Sequence, residues 1–241
     1  MFKNLEGKKV PNVTFKVREN NEWKELNTES IFSHKKVVIF SLPGAFTPTC
    51  SSTHLPRYND LAHLFKKNGI DDIYCLSVND TFVMNAWAKN QESENIKMLP
   101  DGNGEFSEKM GLLVDKNDIG FGKRSWRYSM LVNNGTIEKM FIEPEKDGDP
   151  FEVSDADNML KFISPNEKII AGSTIFTKEG CPYCKKAKDL LKENNLSYTE
   201  IKGQRTNTLQ SLGGKGTFPL IFIQGKKIGG HEDLQTYFNK N

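Results

Sequence analysis

Residues 36–50 read KVVIFSLPGAFTPTC, an apolar run that leads through a loop with two prolines to a single cysteine. The first seven residues are almost all apolar, which is typical of a strand that is covered on both faces. Two similar runs follow at 72–79 and 128–133. Helical patterns occur at 52–68, 80–90, 104–110 and 155–162. This part of the chain therefore predicts an α/β unit with a central strand at 36–42, followed by a loop that leads to Cys50.

Two local signals refine this unit. Asn134-Gly135 follows the third apolar run and predicts a tight hairpin into a returning strand at 136–141, so the sheet should be mixed. Pro56 falls inside the first helical pattern, which predicts a kink or a late start of that helix.

The strand–helix pattern restarts after residues 163–172, where Ser164-Pro165-Asn166 marks a turn. The expected strands are 173–177, 197–201, 220–223 and 226–228, and the expected helices are 182–194, 206–212 and 233–239. We expect two α/β domains, each with a mixed central sheet flanked by helices: residues 1–165 and 172–241, joined by a linker at 166–171.

Composition excludes several classes of protein. The 241 residues carry a formal net charge of +2, with charges of both signs interspersed, so neither nucleic acid nor a membrane surface is an expected partner. No stretch reaches the roughly 20 apolar residues that a membrane-spanning helix needs. The first residues are charged and lack the apolar segment of a secretory signal, so we expect a cytoplasmic protein.

The chain has four cysteines, Cys50, Cys75, Cys181 and Cys184, too few for a secreted disulfide scaffold. A structural zinc site needs four nitrogen or sulfur ligands. There is one CxxC motif, and the four histidines form no pair at zinc-finger spacing, so we expect no metal.

Chemistry alone makes Cys50 a candidate nucleophile. It follows a buried strand and opens a helix, where N–H groups and the helix dipole stabilise a thiolate. Thr47 lies one turn earlier, and Pro43 and Pro48 stiffen the loop and can shield the sulfur. A buried structural cysteine at a helix start is the alternative, and these residues alone leave it open.

The motif P-x-x-x-T-x-x-C, continued by STHLP at 52–56, resembles the peroxiredoxin family and especially its atypical type-five branch. Residues 75–80 (CLSVND) and 127–130 (RYSM) are similar to the same branch. The resemblance implies a thioredoxin-like fold in which Cys50 attacks a peroxide and Thr47 binds it. It also implies that Pro43 covers the thiolate and Arg127 stabilises its charge, with Arg124 as the nearby competitor.

The sequence departs from this branch at one place. Mammalian members carry a resolving cysteine near the end of the domain, whereas residues 150–157 (PFEVSDAD) contain none. Cys75 lies within a predicted buried strand and should be inert. A thiol from elsewhere must therefore reduce oxidised Cys50.

The CxxC motif stands in TKEGCPYC at 177–184, again between a strand and a helix. Cys181 should cap the helix, with Pro182 in its first turn, and nearby lysines should stabilise its thiolate. Cys184, about one turn later, can close a disulfide with it. Metal binding is the alternative for an isolated CxxC motif.

CPYC on a small α/β unit resembles a dithiol glutaredoxin, and Thr217-Phe218-Pro219 and GGHED at 229–233 are similar to two further segments of that family. The family often has Cys-Asp where this chain has His231-Glu232. The resemblance implies a cis Phe218–Pro219 bond and glutathione contacts from seven residues: Lys178, Tyr183, Phe218, Pro219, Gly230, His231 and Glu232.

Together the two resemblances imply a thiol peroxidase for hydrogen peroxide and alkyl hydroperoxides that the attached glutaredoxin recycles. Glutathione would be a co-substrate, with no bound cofactor, and glutathione reductase an indirect partner. The alternatives are a peroxide-sensing relay and a thioltransferase acting on partner proteins. Because both folds often self-associate, a homo-oligomer, either dimer or tetramer, is a further expectation.

Overall fold

The computed structural model describes residues 2–167, 172–194, 196, 198–203, 205–223 and 225–240. The chain divides into two compact units, Met1–Glu167 and Lys168–Asn241. Most of the expected linker, 168–171, lies outside the described residues. Glu167 accepts hydrogen bonds from Lys67 Nζ and Asn68 Nδ2, both at 2.9 Å, so it belongs with the first unit rather than with a linker.

The first unit contains nine strands and five α-helices among its described residues. In chain order they are β1 (Thr14–Glu19), β2 (Glu22–Asn27), α1 (Thr28–Phe32), β3 (Lys36–Ser41), α2 (Leu55–Lys67), β4 (Asp72–Ser77), α3 (Thr81–Asn90), β5 (Lys97–Pro100), α4 (Glu105–Lys109), β6 (Leu113–Asp115), β7 (Lys123–Ser125), β8 (Tyr128–Asn133), β9 (Thr136–Ile142) and α5 (Ala156–Ile163).

The central sheet has the order β5-β4-β3-β8-β9. Strands β3, β4 and β5 are parallel, and β8 and β9 are antiparallel to their neighbours, so the expected mixed sheet is confirmed. Strand β3 is buried from Val37 to Ser41: Val37 and Ile39 belong to the main apolar core, and Phe40 stacks on Tyr58 of α2 with 4.1 Å between ring centroids. This burial on both faces explains the unbroken apolar run in the sequence.

Helix α2 begins late because of Pro56, as expected. Residues Cys50–His54 form a π-helical turn in which the N–H of Leu55 bonds to Cys50 O, and Pro56 lies in the first turn of α2. Proline has no N–H to offer Ser52, so the regular i→i−4 pattern cannot run through this point. The wide turn places Cys50 at the end of the loop that leaves β3.

The hairpin between β8 and β9 turns at Asn134 and Gly135, with φ values of 46° and 73°. Two left-handed residues in succession define the tight turn that the Asn-Gly pair predicts. By contrast, the sequence reading missed the β1–β2 hairpin, β5, and the short pair of β6 and β7. No described helix combines the length and the apolar character needed to cross a bilayer.

The second unit is a smaller mixed sheet with the order β11-β10-β12-β13. Its described elements are β10 (Ser173–Thr177), α6 (Pro182–Glu193), β11 (Tyr198–Lys202), α7 (Thr206–Ser211), β12 (Leu220–Ile223), β13 (Lys226–Gly229) and α8 (His231–Lys240). Strands β10 and β11 are parallel, and the other pairs are antiparallel. A separate apolar core that includes Ile175, Leu191 and Leu234 holds this unit together.

Candidate active sites

Cys50 is a free and fully buried cysteine in the π-helical turn after β3. The loop before it is held by Thr47, whose Oγ1 donates to Gly44 O over 2.8 Å and whose carbonyl accepts from Ser51 N over 3.0 Å. Phe46, in the same loop, has a left-handed φ of 62°, a conformation that bulky residues rarely adopt. Local strain and buried sulfur thus occur together at this helix start.

The structure brings Arg127, rather than Arg124, to the sulfur. Arg127 immediately precedes β8, is 1% exposed, and its Nη2 lies 3.4 Å from Cys50 Sγ. Arg124 instead donates to Phe121 O over 2.9 Å and to Val78 O over 2.7 Å. A fixed guanidinium beside a buried sulfur stabilises negative charge on it.

His54 holds this guanidinium from the other side. Its Nδ1 lies 2.9 Å from Arg127 Nη1, and its Nε2 lies 3.2 Å from Ser154 O. Because the carbonyl of Ser154 can only accept, Nε2 carries the proton and Nδ1 accepts from Arg127. Burial, followed by the charge of Arg127, lowers the pKa of His54 well below its usual value, so the ring is neutral.

The segment between β9 and α5 completes the surroundings of Arg127. The buried carboxylate of Glu143 accepts from the N–H groups of Glu152, Val153 and Ser154 at 2.7–3.0 Å. These bonds fix the carbonyl that His54 contacts. Further along the same segment, Asp149 forms an ion pair with Arg127. The sequence-based prediction assigned no role to His54, Glu143 or Asp149.

Cys75 lies on β4 and is also fully buried. Burial raises the pKa of its thiol well above the usual value, and a neighbouring negative charge on Cys50 raises it further. A thiol that stays protonated is a poor nucleophile. This environment supports the expectation that Cys75 is inert.

In the second unit, Cys181 stands at the start of α6 and forms a disulfide with Cys184. The sulfur of Cys181 lies 3.8 Å from the carbonyl oxygen of Phe218. The Phe218–Pro219 peptide bond is cis, as the resemblance implied. Two segments distant in sequence therefore meet at the CxxC motif.

A groove of about 610 Å³ runs beside Tyr183 in the second unit. Six of the seven expected glutathione contacts line it: Tyr183, Phe218, Pro219, Gly230, His231 and Glu232. Lys178 lines a different groove of about 960 Å³, together with Cys181 and Cys184. The structure thus groups the expected residues without Lys178.

The sequence reading also missed residues of the 610 Å³ groove. Lys215, Lys227 and Asp233 line it, and Asp233 Oδ2 accepts from the N–H of Gly230 over 2.8 Å. Asp233 stands in the quoted GGHED segment, which was the available signal. In the described part of the chain, no three His, Cys, Asp or Glu side chains are grouped as metal ligands would be.

Comparison with known proteins assigns both units. The Redoxin family model matches residues 5–160, and the Glutaredoxin family model matches residues 174–228. A hybrid peroxiredoxin of Haemophilus influenzae, hyPrx5, is 59% identical over 237 residues, covering 97% of this chain and 98% of its own length. The chain belongs to the hybrid peroxiredoxins. As a peroxiredoxin it is an oxidoreductase of the peroxidase class, built from two thioredoxin-like units.

Further relatives of this peroxiredoxin match its first unit. The peroxiredoxin sll1621 of Synechocystis is 58% identical over 172 residues, which cover 66% of this chain and 91% of that protein. The crystal structure of reduced Prx3 from Vibrio vulnificus in complex with H2O2 is 41% identical with a TM-score of 0.62, covering 66% and 98% of the two chains.

A 1-Cys peroxiredoxin structure from Plasmodium falciparum is 36% identical with a TM-score of 0.63, over 67% and 99% of the two chains.

Proposed function

We propose that this peroxiredoxin is a glutathione-dependent peroxidase for hydrogen peroxide and alkyl hydroperoxides, recycled by its own glutaredoxin unit. One observation carries the proposal: the first unit has a cysteine beside a buried arginine but no resolving cysteine in 150–157. The same chain provides a CxxC disulfide, and Tyr183 of that motif lines a groove of about 610 Å³. The second unit can supply the reducing thiol that the first lacks.

Reduction of the peroxide uses Cys50 and Arg127. The Cys50 thiolate attacks one peroxide oxygen, the O–O bond breaks, and the cysteine becomes a sulfenic acid while water or an alcohol leaves. The guanidinium of Arg127, 3.4 Å from the sulfur, stabilises charge on the thiolate and on the departing oxygen. The Thr47 hydroxyl donates to Gly44 O, so its lone pairs are free to accept a hydrogen bond from the peroxide. Pro43 is proposed to cover the sulfur, as the family resemblance implies.

Glutathione then returns Cys50 to its thiol form. Its sulfur condenses with the sulfenic acid, releasing water and leaving a mixed disulfide on Cys50. The Cys181 thiolate attacks the glutathione sulfur of this disulfide and frees Cys50. A second glutathione then attacks the glutathione sulfur on Cys181 and leaves as glutathione disulfide. Alternatively, Cys184 closes the Cys181–Cys184 disulfide and releases glutathione as a thiol, and two further glutathione molecules reduce that disulfide and form glutathione disulfide. Glutathione reductase reduces the product, and no bound cofactor or metal takes part.

The 610 Å³ groove is the proposed glutathione site. Tyr183 and His231 face each other across 6.2 Å between ring centroids, and Phe218, Pro219, Gly230 and Glu232 complete the lining. Lys215 and Lys227 add positive charge suited to the carboxylates of the tripeptide. Lys178, in the other groove beside Cys181, is proposed to contact glutathione from that side.

A coupled assay tests the proposal. The intact chain, glutathione, glutathione reductase and NADPH should turn over hydrogen peroxide and an organic hydroperoxide continuously. A relay would instead stop after one oxidation until a partner protein is added, and a thioltransferase would reduce mixed disulfides without consuming peroxide. A cytoplasmic location and self-association into a dimer or tetramer remain parts of the proposal, to be tested by fractionation and by light scattering.

A further inference from the structure

Arg127 divides its hydrogen bonds between the cysteine and a carboxylate. Its Nη2 contacts Cys50 Sγ at 3.4 Å and also donates to Asp149 Oδ2, while its Nε donates to Asp149 Oδ1 over 3.1 Å. The ion pair between Arg127 and Asp149 is bidentate, which fixes the plane of the guanidinium. The same nitrogen therefore serves both the sulfur and Asp149.

The segment that carries Asp149 is firmly placed. Glu143 anchors its far end through four hydrogen bonds, from the N–H groups of Glu152, Val153 and Ser154 and from the Ser154 hydroxyl. The Phe151 ring stacks under the Arg127 guanidinium, with 5.3 Å between the guanidinium carbon and the ring centroid. The hydrogen bonds to Glu143 and the Phe151–Arg127 contact thus position Asp149, although its side chain is 39% exposed.

The charges near the Cys50 sulfur decide whether the Arg127–Asp149 pair favours or disfavours the thiolate. Arg127 contacts the sulfur, and His54 of the π-helical turn and Asp149 both contact Arg127. Cys75 of β4 interacts electrostatically with Cys50, and the carboxylate of Glu143 is taken up by the four donors of its own segment. His54 is neutral and Cys75 is protonated, for the reasons given above. Arg127 and Asp149 are therefore the charged pair that acts on Cys50, and their effects oppose each other.

We propose that Asp149 is a positioning residue for the peroxidase site. It orients Arg127 toward Cys50 and offsets part of the positive charge that the guanidinium presents to the sulfur. Removing the carboxylate charge while keeping an oxygen acceptor leaves Arg127 fully available to the sulfur. The Cys50 thiolate then forms at lower pH. A less basic thiolate is a weaker nucleophile, so the gain in thiolate at low pH is accompanied by slower attack at high pH.

Asp149→Asn tests the proposal in the intact, reduced chain. The midpoint of the Cys50 thiolate absorbance should move to lower pH by about half a unit to one unit, the size expected for losing one partly screened charge nearby. Each spectrum is corrected by subtracting that of the same variant carrying Cys50→Ser, which removes the signal of the other thiols. This readout needs no turnover, so it does not depend on glutathione being the reductant.

Two further variants distinguish a specific effect of Asp149 on Arg127 from a general effect of charge on this segment. Asp147→Asn removes the same charge from an exposed site on the same segment, and it should leave the midpoint where it is. Asp149→Ala removes the acceptor as well, so Arg127 loses its orientation and the rate with hydrogen peroxide should fall at every pH. An Asp149→Asn midpoint equal to the wild-type midpoint overturns the proposal, as does an equal shift in Asp147→Asn.

Discussion

The backbone N–H of Cys184 donates to Sγ of Cys181 over 3.1 Å, whereas Cys184 is itself 3% exposed inside α6. The helix start thus directs a hydrogen bond at one sulfur of the pair. Such a bond and the helix dipole favour the thiolate of Cys181 over that of Cys184. The two cysteines are chemically unequal although they share one disulfide.

We therefore expect different results from the two CxxC variants. Cys181→Ser should abolish glutathione-supported peroxide turnover because it removes the half-buried sulfur, the more accessible of the two. Cys184→Ser should retain much of the activity, since Cys181 and glutathione suffice for a monothiol route. Both variants are measured in the coupled assay, and equal losses would indicate that the dithiol route is obligatory.

Cys50→Ser should lower peroxide reduction by on the order of 10²-fold or more, because the nucleophile is lost. Reduction of a small mixed disulfide by the glutaredoxin unit should continue, and an unchanged tryptophan fluorescence spectrum, which arises only from the first unit, shows that the mutated unit is folded. Cys75→Ala is the matched control, and it should keep its peroxidase activity because Cys75 stays protonated. Peroxidase activity that survives Cys50→Ser would remove Cys50 from its proposed role.

Arg127→Gln should reduce the second-order rate constant with hydrogen peroxide by about 10²- to 10³-fold, the effect of losing one preorganised donor. The thiolate absorbance of Cys50 at a given pH should also fall. Arg124→Gln is the control, since its hydrogen bonds go to Val78 and Phe121. Stopped-flow kinetics on both variants decides the assignment, which is wrong if Arg124→Gln causes the larger loss.

His54 makes the first unit sensitive to acid. Its pKa is well below the usual value in the folded state and about 6.5 in the unfolded chain. Between these values only the unfolded chain binds the proton, so the free energy of unfolding should fall below about pH 6.5, by up to about 1.4 kcal/mol per unit. Above that pH the contribution of His54 is fully present.

The test uses His54→Asn, which keeps an acceptor for Arg127 but does not titrate. Urea unfolding followed by tryptophan fluorescence reports the first unit alone, because Trp23, Trp87 and Trp126 all lie there. The variant should lose less stability than the wild type between pH 6.5 and pH 5. Parallel pH profiles for the two proteins would contradict the neutral-ring assignment.

The two units should fold independently, because each has its own apolar core. Chains of residues 1–167 and 168–241, expressed separately, should each show cooperative thermal unfolding by circular dichroism. Failure of either half to fold would mean that the boundary is misplaced or that the units depend on each other.

Sequence patterns predicted the elements whose signals are local. The unbroken apolar run of β3, the Asn-Gly hairpin and the late start at Pro56 each depend on a few adjacent residues. The β1–β2 hairpin was not predicted, because β2 is almost wholly exposed and shows no alternation of apolar residues. Strands β5, β6 and β7 have only three or four residues each, too few for a periodic signal.

The site was predictable only in part, for a similar reason. Cys50, Thr47 and Cys181 stand in motifs, whereas the network around Arg127 joins residues that are far apart along the chain. His54 is 73 residues from Arg127, and Ser154 is 100 residues from His54. Which carboxylate pairs with Arg127 is decided by the tertiary fold, and no local pattern marks Asp149.

The complete burial of Cys50 makes access to its sulfur depend on the size of the reactant. Peroxide reduction and the later regeneration of the thiol therefore differ in how far the site must open. A fully buried sulfur must be uncovered before any reactant can meet it, and a tripeptide thiol needs a wider opening than a small peroxide does. Under the proposed function, glutathione therefore reaches Cys50 only through a wider opening of the turn at Cys50–His54. The equilibrium constant for this additional opening enters the rate of regeneration but not the rate of peroxide attack. Substitutions that tighten the turn should thus slow recycling and prolong the lifetime of the sulfenic acid.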